Sequence, residues 1–135
     1  MPRYMLDTNI CLNLMKHQPP EVAERFAQCY VGDVVISAIT LAELEYGVAC
    51  SGRQQARNRK ALDAFLLEAP AAPFDGAAAA IYGPTRLANR DRQRDALDKL
   101  IASHALALGV TLVTHNTADF AACPDLKVKN WVGGH

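Results

Sequence analysis

The sequence predicts an α/β fold, a three-layer α/β/α arrangement with a central, mainly parallel sheet. Three observations predict it. Short apolar runs rich in β-branched residues alternate with longer segments of helical composition. The first, second and fourth runs are followed by polar or acidic residues suited to capping a helix. A chain of 135 residues, half of them hydrophobic, is the size of one domain built on one core.

The elements follow in order. Arg3 to Leu6 is a short apolar run that stops at Asp7-Thr8-Asn9, whose side chains can cap a helix over Ile10 to Met15. Val34-Val35-Ile36 reads as a second strand ending at Ser37. Leu41, Leu44, Tyr46 and Val48 then lie in a helical segment that Gly47 or Gly52 is placed to loosen or end. Ala56 to Leu67 is helical, and Ala69 to Phe74, punctuated by proline, is readable as extended. Ala77 to Asn89 is Ala-rich and helical apart from an interruption at Gly83-Pro84. A further helix spans about Asp95 to Leu108 and stops at Gly109, after which Val110 to Thr114 reads as a buried strand. Lys127 to Trp131 offers a last short strand.

Composition narrows the function classes. No apolar stretch approaches the roughly 20 residues that span a bilayer, and Met1 to Asp7 lacks the features of a secretory signal. The expected location is the cytoplasm, with no membrane partner. Cys11, Cys29, Cys50 and Cys123 form no C-x-x-C pair, so they read as small buried hydrophobes rather than metal ligands or disulfides. Fourteen basic residues balance fourteen acidic ones; any hold on nucleic acid must come from local patches. Two exist, Arg53, Arg57, Arg59 and Lys60, and Arg86, Arg90, Arg92, Arg94 and Lys99. Each reads equally as a solvated helix face.

In parallel sheets ligands bind beyond the carboxyl ends of the strands, and oxygen-bearing side chains collect there. Asp7 follows the first strand, Glu43 lies one or two turns past the second, and Asn116 and Asp119 follow the fourth. Asp98 opens the helix that leads into the fourth strand. Hard cations such as Mg²⁺ and Mn²⁺ take oxygen ligands, and a bound cation relieves the repulsion among gathered carboxylates. Each residue also has a plainer reading. Asp7 reads as a helix cap, Glu43 as the partner of Thr40 in a capping box, and Asp119 and Asn116 as turn caps. Asp98 shares a helical spacing with Asp91 and Asp95, so spacing alone does not single it out. His104 and His115 read as structural or surface histidines.

The blocks Met5-Leu6-Asp7-Thr8-Asn9-Ile10, Ser37 to Gly47, Asp98 to Ala105 and Leu112 to Phe120 together resemble the PIN-domain ribonucleases. More narrowly, they resemble the VapC toxins of bacterial type II toxin–antitoxin modules. The resemblance runs from Tyr4 to Trp131, so residues 1–135 are expected to form one PIN domain. It implies an endoribonuclease in which Asp7, Glu43 and Asp98 bind Mg²⁺ or Mn²⁺ and Asp119 is a fourth, peripheral acid. Thr8 and Asn116 would orient a carboxylate or a water. Asn116 stands where many PIN domains carry Asp, and Arg92 to Leu97 replaces a turn that often contains Gly and Pro; Asp98 is preferred to Asp95 on its register with Leu100-Ile101-Ala102 and His104. The implied substrate is tRNA or another structured RNA, gripped by Arg86, Arg90, Arg92 and Arg94. The implied partners are a VapB-type antitoxin, through which alone operator DNA would be met, and a second copy of the chain. A metal-dependent nuclease acting on DNA, a phosphatase, or a PIN-like scaffold that has lost catalysis would use parts of the same pattern.

Overall fold

The computed structural model describes residues 2–90, 96–121, 123 and 125–133. Five parallel strands form one sheet: β1 (Tyr4–Leu6), β2 (Val34–Ser37), β3 (Ala71–Ala72), β4 (Thr111–Val113) and β5 (Val128–Lys129), in the order β3-β2-β1-β4-β5. Among the described residues six α-helices connect them: α1 (Thr8–Met15), α2 (Pro20–Ala27), α3 (Ala38–Ala49), α4 (Gln55–Glu68), α5 (Gly76–Ala88) and α6 (Ala96–Leu108).

Alternation along the strands makes the three layers. Met5 stands in register with Val35 and Leu112, and Leu6 with Ile36 and Val113. Successive side chains leave opposite faces of a strand. Leu6, Ile36 and Val113 therefore enter one apolar cluster, with Ile10, Leu14, Val22, Leu44, Leu62 and Phe65 from α1 to α4. Met5 and Leu112 enter the other, with Ile101, Ala102 and Ala105 from α6, and Val35 packs against it. Both faces are covered, as a parallel sheet requires. Trp131, past β5, is buried in the first cluster and meets the Tyr4 ring edge-on at 5.5 Å.

Helix boundaries follow local chemistry. Gly109 ends α6 at φ +69°, its N–H bonding to Leu106 while the Val110 N–H returns to the Ala105 carbonyl at 3.1 Å; this paired closure satisfies two carbonyls left over at the helix end. Pro20 opens α2 at a position where a missing N–H costs nothing. The sequence reading assigned no element between Met15 and Val34, so this helix is an addition to it. Of the two glycines offered as the end of α3, Gly47 lies inside the helix and Gly52 just beyond its end at Ala49. One expectation here needs correction: α5 passes through Gly83-Pro84 without interruption. In α5 the side chains of Ala78 and Thr85 are buried, as is that of the C-cap Asn89, and the helix packs along α6, which offsets the loss of a single backbone bond at Pro84. The four cysteines are unpaired, but Cys50 is exposed rather than buried. No helix among the described residues is long and apolar enough to cross a membrane.

Candidate functional site

The sheet changes direction at β1: the chain moves outward to β2 and β3, then returns to place β4 and β5 on β1's other side. The carboxyl ends of β1 and β4 flank this switch point, the usual ligand position in such sheets. Asp7 is the first residue past β1. Its N–H still belongs to the ladder, donating to the Val113 carbonyl at 3.0 Å, while its Oδ1 caps α1 by accepting the Ile10 N–H at 2.9 Å. The helix-cap reading is therefore correct, and it uses one carboxylate oxygen. Thr114, buried just past β4, accepts the Asn116 N–H at 3.0 Å and hydrogen-bonds to the Asp7 carboxylate. A carboxylate only accepts, so the Thr114 hydroxyl is the donor in that second bond.

Glu43 arrives from α3. Thr8, the first residue of α1, donates its hydroxyl to Glu43 Oε1 at 2.7 Å, a charge-assisted bond linking segments 35 residues apart. The capping-box reading of Glu43 fails. Ser37 is the N-cap of α3, accepting the Ile39 N–H at 3.1 Å, and Thr40 lies buried inside the helix.

Burial pushes the Asp7 carboxyl above its ordinary range. The Thr114 hydroxyl, the Ile10 N–H and the charge of His115 pull it back, while the Glu43 charge raises it further. Among the described residues no Lys or Arg side chain forms an ion pair with Asp7 or Glu43. Two like charges therefore stand together, one of them almost desolvated, with hydroxyl and amide donors for support.

Asp98 reaches the same edge from the opposite helical layer. The end of α6 lies at the amino edge of the sheet, since Val110 N–H bonds back to Ala105 and Thr111 N–H bonds to the Arg3 carbonyl. Its first turn, carrying Asp98, therefore points toward the carboxyl edge. Asp98 is half-buried and precedes buried Ile101, Ala102 and Ala105 at three-, four- and seven-residue spacings, which puts it on the inward face. Asp91 and Asp95 lie outside the described residues. Asp119 and Asn116 are exposed at a 3₁₀ turn over Thr117–Phe120 that is anchored by buried Phe120. Among the described residues no three His, Cys, Asp or Glu side chains are gathered as one ion-binding group. Asp7 and Glu43 are near enough for the Glu43 charge to act on the Asp7 carboxyl, and Thr8, next to Asp7 in the chain, holds Glu43; Asp98 and Asp119 stand as separate contributors.

The basic stretches separate. Arg59 is held by both carboxylate oxygens of Glu45, with Asp63 at 3.6 Å. Arg86, Arg90 and Lys99 instead line one cleft of about 600 Å³ between α5 and α6, with Tyr82 and Leu87. Arg92 and Arg94 lie outside the described residues.

Residues 4–125 match the family model of the PIN domain. The chain belongs to the PIN-domain family. This PIN domain is 37% identical over 133 residues to the tRNA(fMet)-specific endonuclease VapC of Shigella flexneri, covering 97% of this chain and 99% of the relative. It is 37% identical over 131 residues to ribonuclease VapC2 of Rickettsia felis, covering 95% and 97%. Its fold matches the crystal structure of DNA-bound VapBC from Salmonella typhimurium with a TM-score of 0.88 at 33% identity, over 97% of this PIN domain and 99% of that chain. The five-stranded parallel sheet with helices on both faces is the architecture expected of this family.

Sequence reasoning passed over two groups at the site of this PIN domain. Thr114 was read only as part of a strand, although a hydroxyl immediately past a strand end is placed like Asp7 itself. The buried contact between His104 and Ser37 had no sequence signal, since the two residues are 67 positions apart. As for a metal, Asp7, Glu43 and Asp98 offer only oxygen donors, which suits Mg²⁺ or Mn²⁺ rather than a thiophilic ion. The unneutralised Asp7–Glu43 pair is the feature that a divalent cation would relieve.

Proposed function

We propose that this PIN domain is a metal-dependent endoribonuclease of the VapC type, acting as the toxin of a toxin–antitoxin module. The single observation that carries the reading is the buried Asp7 carboxylate, acted on by the Glu43 charge and with no Lys or Arg ion pair among the described residues, at the switch point of a VapC-type sheet. A phosphodiester is itself anionic and gains charge during hydrolysis, so bare carboxylates would repel it. A divalent cation held by Asp7, Glu43 and Asp98 would reverse that sign and supply Lewis-acid polarisation of the phosphate and activation of water. Asp7 keeps one oxygen for the helix cap and offers the other. Glu43, tethered through one oxygen by Thr8, has its second oxygen to take a ligand or accept the proton of an attacking water. Asn116 and Asp119, on the exposed turn past β4, are positioned to orient water at the rim.

RNA would be held by the α5–α6 cleft. Arg86 on α5 and Arg90, in the turn just past its end, contact phosphates, and Tyr82 offers a ring on which an unpaired base stacks. The substrate is a structured RNA with an exposed single-stranded segment, tRNA being the first candidate because a relative of 37% identity is named for it. The partner is a VapB-type antitoxin, by analogy with the VapBC assemblies that share this fold, and operator DNA is met only through it. An apolar groove of about 690 Å³ between α1, α2 and α4, lined by Leu14, Met15, Phe26 and Phe65 with Tyr30 and Leu67 exposed at its rim, suits an apolar antitoxin segment. The toxin itself is proposed to be a cytoplasmic homodimer.

The test is cleavage of tRNA, unstructured RNA, single-stranded DNA and a small phosphate ester by the purified chain with Mn²⁺, with and without chelator. Chelator-sensitive RNA cleavage that Asp7→Ala and Asp98→Ala abolish while circular dichroism stays native is the expected result. Cleavage of DNA alone would assign a different nuclease, and absence of both cleavage and Mn²⁺ binding would make the domain a scaffold.

A further inference from the structure

Two of the helices that carry the acids meet at a buried polar contact that the proposed chemistry does not use. His104 Nδ1 lies 2.8 Å from Ser37 Oγ, and both residues are fully buried. Ser37 closes β2 and caps α3, where its oxygen also accepts the Ile39 N–H. The imidazole is braced on its other side by Phe74, edge-on at 5.4 Å. Burial holds it below its ordinary pKa, against the pull of the Asp75 charge and the Pro73 carbonyl.

The spacing is symmetric about this contact. Glu43 lies six residues after Ser37 along α3, and Asp98 lies six residues before His104 along α6. At about 1.5 Å per residue each acid is about 9 Å from the contact along its helix. The layer between α6 and the sheet is otherwise apolar, a cluster of Ile101, Ala102 and Ala105 on α6 with Met5 and Leu112 from the sheet, against which Ile39 of α3 packs. Apolar packing is non-directional and leaves helices able to slide, whereas coordination of a cation tolerates errors of only about 0.2 Å in ligand distance. A directed hydrogen bond in that layer fixes the register of α6 against α3.

We propose that the Ser37–His104 pair is a positioning clamp that sets the separation of Glu43 and Asp98, and so the affinity of the site for a divalent cation. The inference rests on the metal-dependent reading. His104→Leu keeps an apolar side chain in the layer and removes the bond. His104→Asn places an amide where Nδ1 stands and keeps it. Ser37→Ala removes the hydroxyl, and with it the α3 cap on the Ile39 N–H as well as the bond to His104; it serves in place of the leucine variant should that variant not fold. Mn²⁺ affinity is read by titration calorimetry, with the melting temperature and the separate kcat and KM for RNA measured on each protein.

The expected result is a loss of about tenfold or more in Mn²⁺ affinity for His104→Leu and Ser37→Ala, as for supporting residues in metal sites generally. It is accompanied by a fall in kcat at unchanged KM, recovery to within about threefold of the unmodified chain in His104→Asn, and a double variant no worse than the poorer single one. Wild-type Mn²⁺ affinity in a folded His104→Leu or Ser37→Ala protein would overturn the clamp alone. So would His104→Asn binding as poorly as His104→Leu. An unmodified chain that binds no Mn²⁺ overturns the clamp and the metal-dependent reading together.

Discussion

Thr8→Val deletes one hydroxyl and leaves the β-branched shape at the first position of α1, where the two residues have similar helical preference. What it removes is the 2.7 Å bond to Glu43. Hydrogen bonds to charged groups contribute roughly 1.5–3 kcal/mol net, and because Thr8 and Glu43 are only half-buried the lower end applies, about 1.5 kcal/mol. Two measurements follow from that figure. The metal-free melting temperature falls by roughly 3–6 °C for a domain of this size. Glu43, no longer tethered beside Asp7, must be ordered by the cation itself, and at about 1.4 kcal/mol per decade the dissociation constant for Mn²⁺ rises about tenfold. Thr8→Ser, which retains the donor, stays within about threefold. Titration calorimetry and differential scanning calorimetry on the three proteins decide the matter. If Thr8→Val binds Mn²⁺ as tightly as the unmodified chain, Thr8 does not hold Glu43 for the metal and the tethering argument is wrong.

Asp7→Asn keeps an acceptor for the Ile10 N–H but carries no charge, so it should stabilise the metal-free protein near neutral pH while eliminating Mn²⁺ binding; a lower melting temperature would refute the assignment of Asp7 as a desolvated charge. The same burial fixes a pH dependence. Because the folded carboxyl titrates above its unfolded value, ionising it opposes folding, a penalty present in full above the folded pKa and gone as pH falls below the unfolded one. Metal-free stability from this group therefore rises on acidification, whereas Mn²⁺ affinity, which needs the ionised form, falls; calorimetry across the acid range should show the two moving in opposite directions. Arg86→Gln and Arg90→Gln should each weaken RNA binding and lower the slope of log affinity against log salt by about 1, and an unchanged slope in filter-binding assays would remove the α5–α6 cleft from the substrate path. Arg59→Ala, whose side chain is already taken up by exposed Glu45 and Asp63, should leave both RNA binding and melting temperature unchanged; a loss of binding as large as that of Arg86→Gln would show that the α4 stretch is the grip.

How much of this was legible in the sequence depended on whether the signal was local. Val34-Val35-Ile36 and Val110 to Thr114 announced strands because β-branched side chains fit a sheet buried on both faces, and Gly109 announced a helix end because it can take a positive φ. Asp7 was legible twice, as a cap and as an acid; the cap is present in the structure, on the Ile10 N–H. The misreadings came where one local cue stood for two outcomes. Proline removes one backbone bond from a helix interior, yet Gly83-Pro84 is tolerated where α6 supplies compensating packing. Thr40-x-x-Glu43 has the spacing of a capping box, yet Ser37 had already capped the helix, leaving Glu43 for Thr8. The link from Thr114 to Asp7 and that from Ser37 to His104 join segments far apart in the chain, so no window of sequence could display them.

The strands of this sheet are only two to four residues long, and that brevity has a consequence for tolerance to change. Leu6 and Val113, buried in the deepest layer, are immediate neighbours of Asp7 and Thr114 in the chain, and the Asp7 N–H is bonded to the Val113 carbonyl. No spacer stands between the greasy interior and the reactive rim to absorb a small displacement. Conservative swaps such as Val113→Ile or Leu6→Met should thus silence the protein well before they melt it, and a library screen for harmless variants would recover lesions in the hydrophobic layer alongside those in the acids.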